Sequence, residues 1–126
     1  MARILIVDDN RMVLQALSDH LESIGYETEV ASNGADALEI IDAEKPDVII
    51  MDIIMPGLSG IEVTRKIRQS PETASIPVIA FTSQSNQGNW GELFDDYLVK
   101  PFGYDTVGEI IEKVRSAPSG RPQTGS

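Results

Sequence analysis

The sequence predicts an α/β domain organised around a doubly wound, five-stranded parallel sheet. Short runs rich in branched apolar residues alternate along the chain with segments whose apolar residues recur at helical spacing. The connections between these runs are the length of a single helix, which implies right-handed strand-helix-strand crossovers that keep the strands parallel. With 126 residues and 41% hydrophobic content, the chain fits one compact core rather than two.

Arg3 to Val7 is continuously apolar after its arginine, as expected of a strand covered on both faces. The period then changes. From Asn10 to Ile24, Val13, Leu17, Leu21 and Ile24 recur at helical spacing, and Gly25 stands where a helix C-cap glycine belongs. Glu27 to Ala31 is a short second strand. Asn33 caps a predicted helix through Ala37, Leu38 and Ile41, and Pro46 precedes a third strand, Asp47 to Met51, which delivers Asp52. Met55-Pro56-Gly57 turns the chain. Ser59 with Glu62 forms a capping box that opens a helix to about Arg68, with Ile61 and Ile67 inward. The strand Ile76 to Phe81 follows and ends on Thr82. A last strand, Tyr97 to Val99, delivers Lys100, and a final helix carries Val107, Ile110, Ile111 and Val114. The expected domain spans residues 1–116, and residues 117–126, rich in Pro, Gly and Ser, are expected to form a disordered tail or linker remnant.

Composition removes several classes of function. Without cysteine there is no disulfide framework, no thiolate metal site and no thiol nucleophile, which is compatible with a reducing cytosol. The apolar run in Met1 to Asn10 is too short to span a membrane, and it leads into acids where a signal peptide would offer small residues. A soluble, cytoplasmic protein is therefore expected. A formal net charge of -10 makes the domain a poor ligand for nucleic-acid phosphates.

The strand ends carry the functional signal. In a parallel sheet all of them fall on one edge, so Asp8, Asp9, Asp52, Thr82 and Lys100 gather in one crevice over the central strands. Three carboxylates, a hydroxyl and an ammonium suit a divalent cation and a phosphoryl group. Each residue also has an ordinary reading. Asp8 or Asp9 would cap the first helix, Asp52 would be a loop carboxylate, Thr82 a common strand residue and Lys100 a solvated lysine.

Taken together and in order, Asp8-Asp9, Met51-Asp52 with Met55-Pro56-Gly57 and Gly60, Thr82, and Asp96-Tyr97-Leu98-Val99-Lys100-Pro101-Phe102 resemble the response regulator receiver domain. The resemblance runs from Arg3 to about Arg115 and is closest in style to single-domain chemotaxis regulators. It implies a flavodoxin-like strand order, 2-1-3-4-5, and a signalling phosphoacceptor rather than an enzyme, one that catalyses its own phosphorylation and dephosphorylation. Asp52 would accept the phosphoryl group from a phosphohistidine on a sensor histidine kinase or histidine phosphotransfer protein, with Mg²⁺ or Mn²⁺ bound. Because Mg²⁺ prefers six oxygens and keeps several waters, the expected shell is Asp9 and Asp52 directly, a backbone carbonyl at Ile54, and Asp8 partly through water. Lys100 and Thr82 would stabilise the phosphoryl oxygens, and Ser83 would leave room for them. Tyr97 would be a switch aromatic that answers Thr82, with a half-buried edge-strand aromatic as the alternative. The Lys100–Pro101 bond is expected to be cis.

The downstream partner is an unspecified protein, with no direct nucleic-acid or membrane contact expected. His20 is read as a surface or boundary residue without a phosphorelay role, and Trp90 and the methionines as packing or loop groups. Between Thr82 and Lys100 the chain is about one helical turn shorter than the family pattern, and its glycines and asparagines disfavour helix, so the fourth helix is expected to be short or irregular. Ser59 stands where many members carry aspartate and keeps the N-cap. Two other readings stay open: a metal-dependent phosphatase, which would usually carry an acid where Ile54 stands, and a phosphorylation-independent protein-interaction module.

Overall fold

The structure is a computed structural model that describes residues 2–82, 93–99 and 103–116. Its five strands are β1 (Arg3–Val7), β2 (Glu27–Ala31), β3 (Val48–Asp52), β4 (Val78–Thr82) and β5 (Asp96–Val99), all parallel in the order β2-β1-β3-β4-β5. The described helices are α1 (Arg11–Ser23), α2 (Gly34–Ala43), α3 (Gly60–Gln69) and α4 (Tyr104–Ser116). The expected fourth helix falls within Ser83–Phe94, almost all of it outside the described residues, as is the tail 117–126.

Alternation along each strand divides the core into two layers. Leu5, Val7, Ile49, Met51, Val78 and Ala80 face Ala37 and Ile41 of α2 and Val63 and Ile67 of α3. Ile4, Ile6, Ile50, Ile79 and Phe81 face Leu17 and Leu21 of α1 and Val107 and Ile111 of α4. Both faces of the central strands are thus covered, which is why β1, β3 and β4 read as unbroken apolar runs instead of alternating ones. β2 and β5 are edges and are less buried.

Local chemistry corrects several predicted boundaries. β3 begins at Val48, not Asp47, because Asp47 is turned to Arg3: its N–H donates to the Arg3 carbonyl at 2.8 Å, and its Oδ2 accepts the Arg3 N–H at 2.7 Å. β4 begins at Val78, because the Ile76 N–H turns back to Thr73 and Pro77 has no N–H to offer. Ile24 does not continue the buried stripe of α1. It is the C-cap, 51% exposed, and Leu14 fills the stripe instead. Ile61 is only partly buried, the inward face of α3 being Val63, Thr64 and Ile67. Asn33 and Ser59 accept backbone N–H groups as the expected caps, Asn10 caps α1 in place of the aspartates before it, and Gly25 takes φ 107°, a region glycine enters freely.

The edge of the sheet at the strand starts carries ionic clasps. Arg3 meets Glu29 at 3.2 Å and donates to the Glu44 carbonyl at 2.8 Å. Arg68, in the last turn of α3, donates to the carbonyls of Ile76 at 2.6 Å, Ala74 at 3.1 Å and Leu93 at 2.7 Å, and meets Asp95 at 3.2 Å. The Asp95 Oδ2 also accepts the Val78 N–H at 2.8 Å. This cluster joins the end of α3 to the starts of β4 and β5.

Candidate functional site

The three carboxylates are delivered by the ends of the two central strands. After Val7, the Asp8 N–H donates to the Ala31 carbonyl at 3.1 Å, and the side chain of Asp8 is wholly buried. Its Oδ1 accepts the Asn10 N–H at 2.8 Å. Asn10 in turn accepts from the Met12 and Val13 N–H groups at 2.9 and 3.3 Å, so Asn10 caps α1 and neither Asp8 nor Asp9 does. That settles the capping alternative and leaves Asp9 exposed beside Asp8.

Asp52 is the last residue of β3, paired in register with Phe81 and 5% exposed. The next residue, Ile53, donates its N–H to the Phe81 carbonyl at 3.1 Å and accepts from Gly60 at 2.9 Å, which brings the start of α3 against the end of β3. No side chain fits at Gly60: a Cβ there would stand 2.1 Å from the Asp52 carbonyl oxygen. Ile54 donates its N–H to Asp52 Oδ1 at 3.3 Å, and its side chain is 59% exposed.

One carboxylate oxygen from each of Asp8, Asp9 and Asp52 lies within 4.8 Å of the other two. Three like charges this close repel, and a cation relieves the repulsion. An all-oxygen donor set fits a hard divalent ion such as Mg²⁺ and offers nothing to a soft one. The observed cluster is therefore the one expected from the sequence.

Thr82 closes β4, one residue beyond the partner of Asp52, and pairs with Val99 of β5. Lys100, Ser83, Trp90 and the Lys100–Pro101 bond lie outside the described residues. Tyr97 is half-buried on β5, its ring edge-on to Phe94 at 5.8 Å and 61°, and burial pushes its hydroxyl pKa up. His20 is half-buried on α1. Met51 and Met55 pack in the core as expected, but Met12 does not: it is 81% exposed in the first turn of α1. Sequence reasoning missed the link from Asn10 to Asp8 and the steric need for Gly60. The available signals were an asparagine just ahead of a helical period and a glycine directly after the capping serine.

Known proteins agree with this geometry. PilH of Pseudomonas aeruginosa is 42% identical over 118 residues, covering 90% of this chain and 98% of PilH. Chemotaxis protein CheY4 of Vibrio cholerae superposes with a TM-score of 0.86 at 31% identity, covering 90% of this chain and 98% of that one. The response regulator TrrA of Thermotoga maritima, solved in complex with Mg²⁺ and BeF, gives a TM-score of 0.83 at 35% identity over 90% of this chain and 99% of its own. Residues 4–114, which contain the five strands except Arg3 and the whole carboxylate cluster, match the sequence model of the response regulator receiver domain, and the chain belongs to that family.

Proposed function

We propose that the chain is the phosphoacceptor of a two-component or phosphorelay system, receiving a phosphoryl group on Asp52 in a reaction that needs Mg²⁺ or Mn²⁺. The convergence of Asp8, Asp9 and Asp52 within 4.8 Å carries this reading. Asp8, Asp9 and Asp52 would hold the ion, with the Ile54 carbonyl completing the protein share of the shell. Bound there, Mg²⁺ supplies charge neutralisation and orientation for the phosphoryl oxygens.

The rest belongs to the chain. An Asp52 carboxylate oxygen attacks phosphorus in line, the bond to the donor imidazole nitrogen breaks, and its electron pair stays on that nitrogen. The Ile54 N–H on Asp52 Oδ1 leaves the second carboxylate oxygen as the nucleophile. Lys100 contributes a point charge and Thr82 a hydroxyl donor, while the small Ser83 leaves the phosphoryl group space. The acyl phosphate formed is hydrolysed by water, so the signal limits itself. Contacts between the phosphoryl group and Thr82 bias two packings of Tyr97, and with them a protein-interaction surface.

The partners are a sensor histidine kinase or phosphotransfer protein and a downstream protein target, in the cytoplasm. Incubation with Mg²⁺ and acetyl phosphate, read by intact mass, tests the reading. One phosphoryl group should be gained by the wild type and none by Asp52→Ala or after chelation. Failure of the wild type to take up phosphate under these conditions would remove the proposal.

A further inference from the structure

A groove of about 510 Å³ opens at the free edge of the sheet, between α1 and α2, with Val30 and Ala31 of β2 as its floor. We infer that this groove binds an extended, basic segment of a partner protein, which adds alongside β2 as a sixth strand. The inference is independent of the phosphoryl reading, except for one linkage given below.

β2 pairs with β1 alone among the described residues, so its outer edge offers backbone donors and acceptors to an added strand. Val30 is 44% exposed on that strand, and Leu14 and Ile40 supply apolar walls from the two helices. Alternating apolar residues of an added strand would find contact there.

Charge selects the occupant. Asp36 and Glu39 line the α2 wall, and Glu27 and Glu29 project from β2 itself, against Arg11 on the α1 wall. Glu29 also meets Arg3 at 3.2 Å, which leaves the edge acidic overall. Two copies of this chain would set like charges opposite one another, which disfavours edge-to-edge pairing. Nucleic acid is repelled for the same reason. A strand carrying lysine or arginine at alternate positions complements the acidic character of this edge.

The groove is also tied to the carboxylate cluster. Ala31, on its floor, accepts the Asp8 N–H at 3.1 Å, and Arg11 follows Asn10, whose N–H holds Asp8 Oδ1 at 2.8 Å. An occupant that displaces Ala31 would move the partner of the Asp8 N–H, so filling the groove is expected to alter cation binding at Asp8, and reciprocally.

The test is an amide NMR titration of the isotope-labelled full chain with the peptide acetyl-Lys-Val-Arg-Val-Lys-Val-amide and its all-D enantiomer. The two carry the same charge, but only the L peptide has the twist that matches the sheet. Shifts confined to residues 11–18 and 27–40, with roughly tenfold tighter binding of the L form, are expected. Val30→Lys and Glu39→Lys, both exposed, should each abolish that preference while leaving the spectrum folded. Equal shifts from both enantiomers, shifts spread over the whole acidic surface, or none would overturn the inference. A Mg²⁺ titration with and without the L peptide then reads the linkage. An unchanged Mg²⁺ affinity removes the coupling alone, whereas no Mg²⁺ binding in either case removes the metal site and leaves the groove result intact.

Discussion

Replacing Arg68 by methionine should cost this domain a large part of its stability, although Arg68 lies at the opposite edge of the sheet from the carboxylate cluster. The Arg68 side chain is 14% exposed and its guanidinium faces a 3% exposed Asp95 side chain at 3.2 Å, while donating to the carbonyls of Ala74, Ile76 and Leu93. Methionine keeps most of the stem volume and removes every donor. Depriving a buried carboxylate of its cation typically costs about 3–5 kcal/mol. With an unfolding entropy of about 2.1 cal/mol/K per residue over the roughly 100 described residues, that loss lowers Tm by about 14–23 °C. Against a total stability of about 5–15 kcal/mol, the variant should sit near the margin of folding. Guanidinium and thermal unfolding followed by circular dichroism measure both quantities. Adding Asp95→Asn removes the abandoned charge but keeps an acceptor for the Val78 N–H, so the double variant should be more stable than Arg68→Met alone. A loss below about 1 kcal/mol in Arg68→Met, or no recovery in the double variant, would refute the account of a buried ionic clasp.

Gly60→Ala places a Cβ 2.1 Å from the Asp52 carbonyl oxygen and should cost about 1–3 kcal/mol, with slower phosphorylation from acetyl phosphate as the acceptor strand shifts. Asn10→Ala should cost about 1 kcal/mol through the lost cap. Its Mg²⁺ affinity should nevertheless persist, because Asp8 is held by the Asn10 backbone N–H rather than by the side chain. Tyr26 donates its hydroxyl to Glu112; burial first, and that carboxylate second, push its pKa up to about 12. A raised pKa means the contribution is complete below the unfolded value of about 10 and disappears as pH rises toward the folded one. Tyr26→Phe should therefore flatten the loss of stability across that alkaline window and delete a phenolate step near pH 12 in the ultraviolet titration.

The sheet was readable because β1, β3 and β4 are buried on both faces and their branched residues leave no competing pattern. Asp52 and its neighbours were readable because parallel strands put every strand end on one edge, so position along the chain becomes position in space. Other features depend on contacts between distant residues and leave no local trace. The start of β4 was set two residues late by Pro77 and by the pull of Thr73 on Ile76. Asp47 left its strand for Arg3, at a separation of 44 residues. Ile24 fits the apolar period of α1, but it falls where the helix unwinds into Gly25 and so lies half outside the core.

The two edges of the sheet have different tasks. Around the strand starts, Arg3 and Arg68 bind acids and carbonyls in closed clasps whose failure is paid in folding. Around the strand ends, acids are gathered against acids, an arrangement that gains nothing for the fold and is held in place from below. On the proposed phosphoacceptor reading, a lineage carrying this architecture can change its ion preference, phosphoryl lifetime or partner by altering one rim while the other keeps the scaffold. Variants that fold and do not signal should map to the first rim's opposite, and variants that vanish from the cell should map to the clasps.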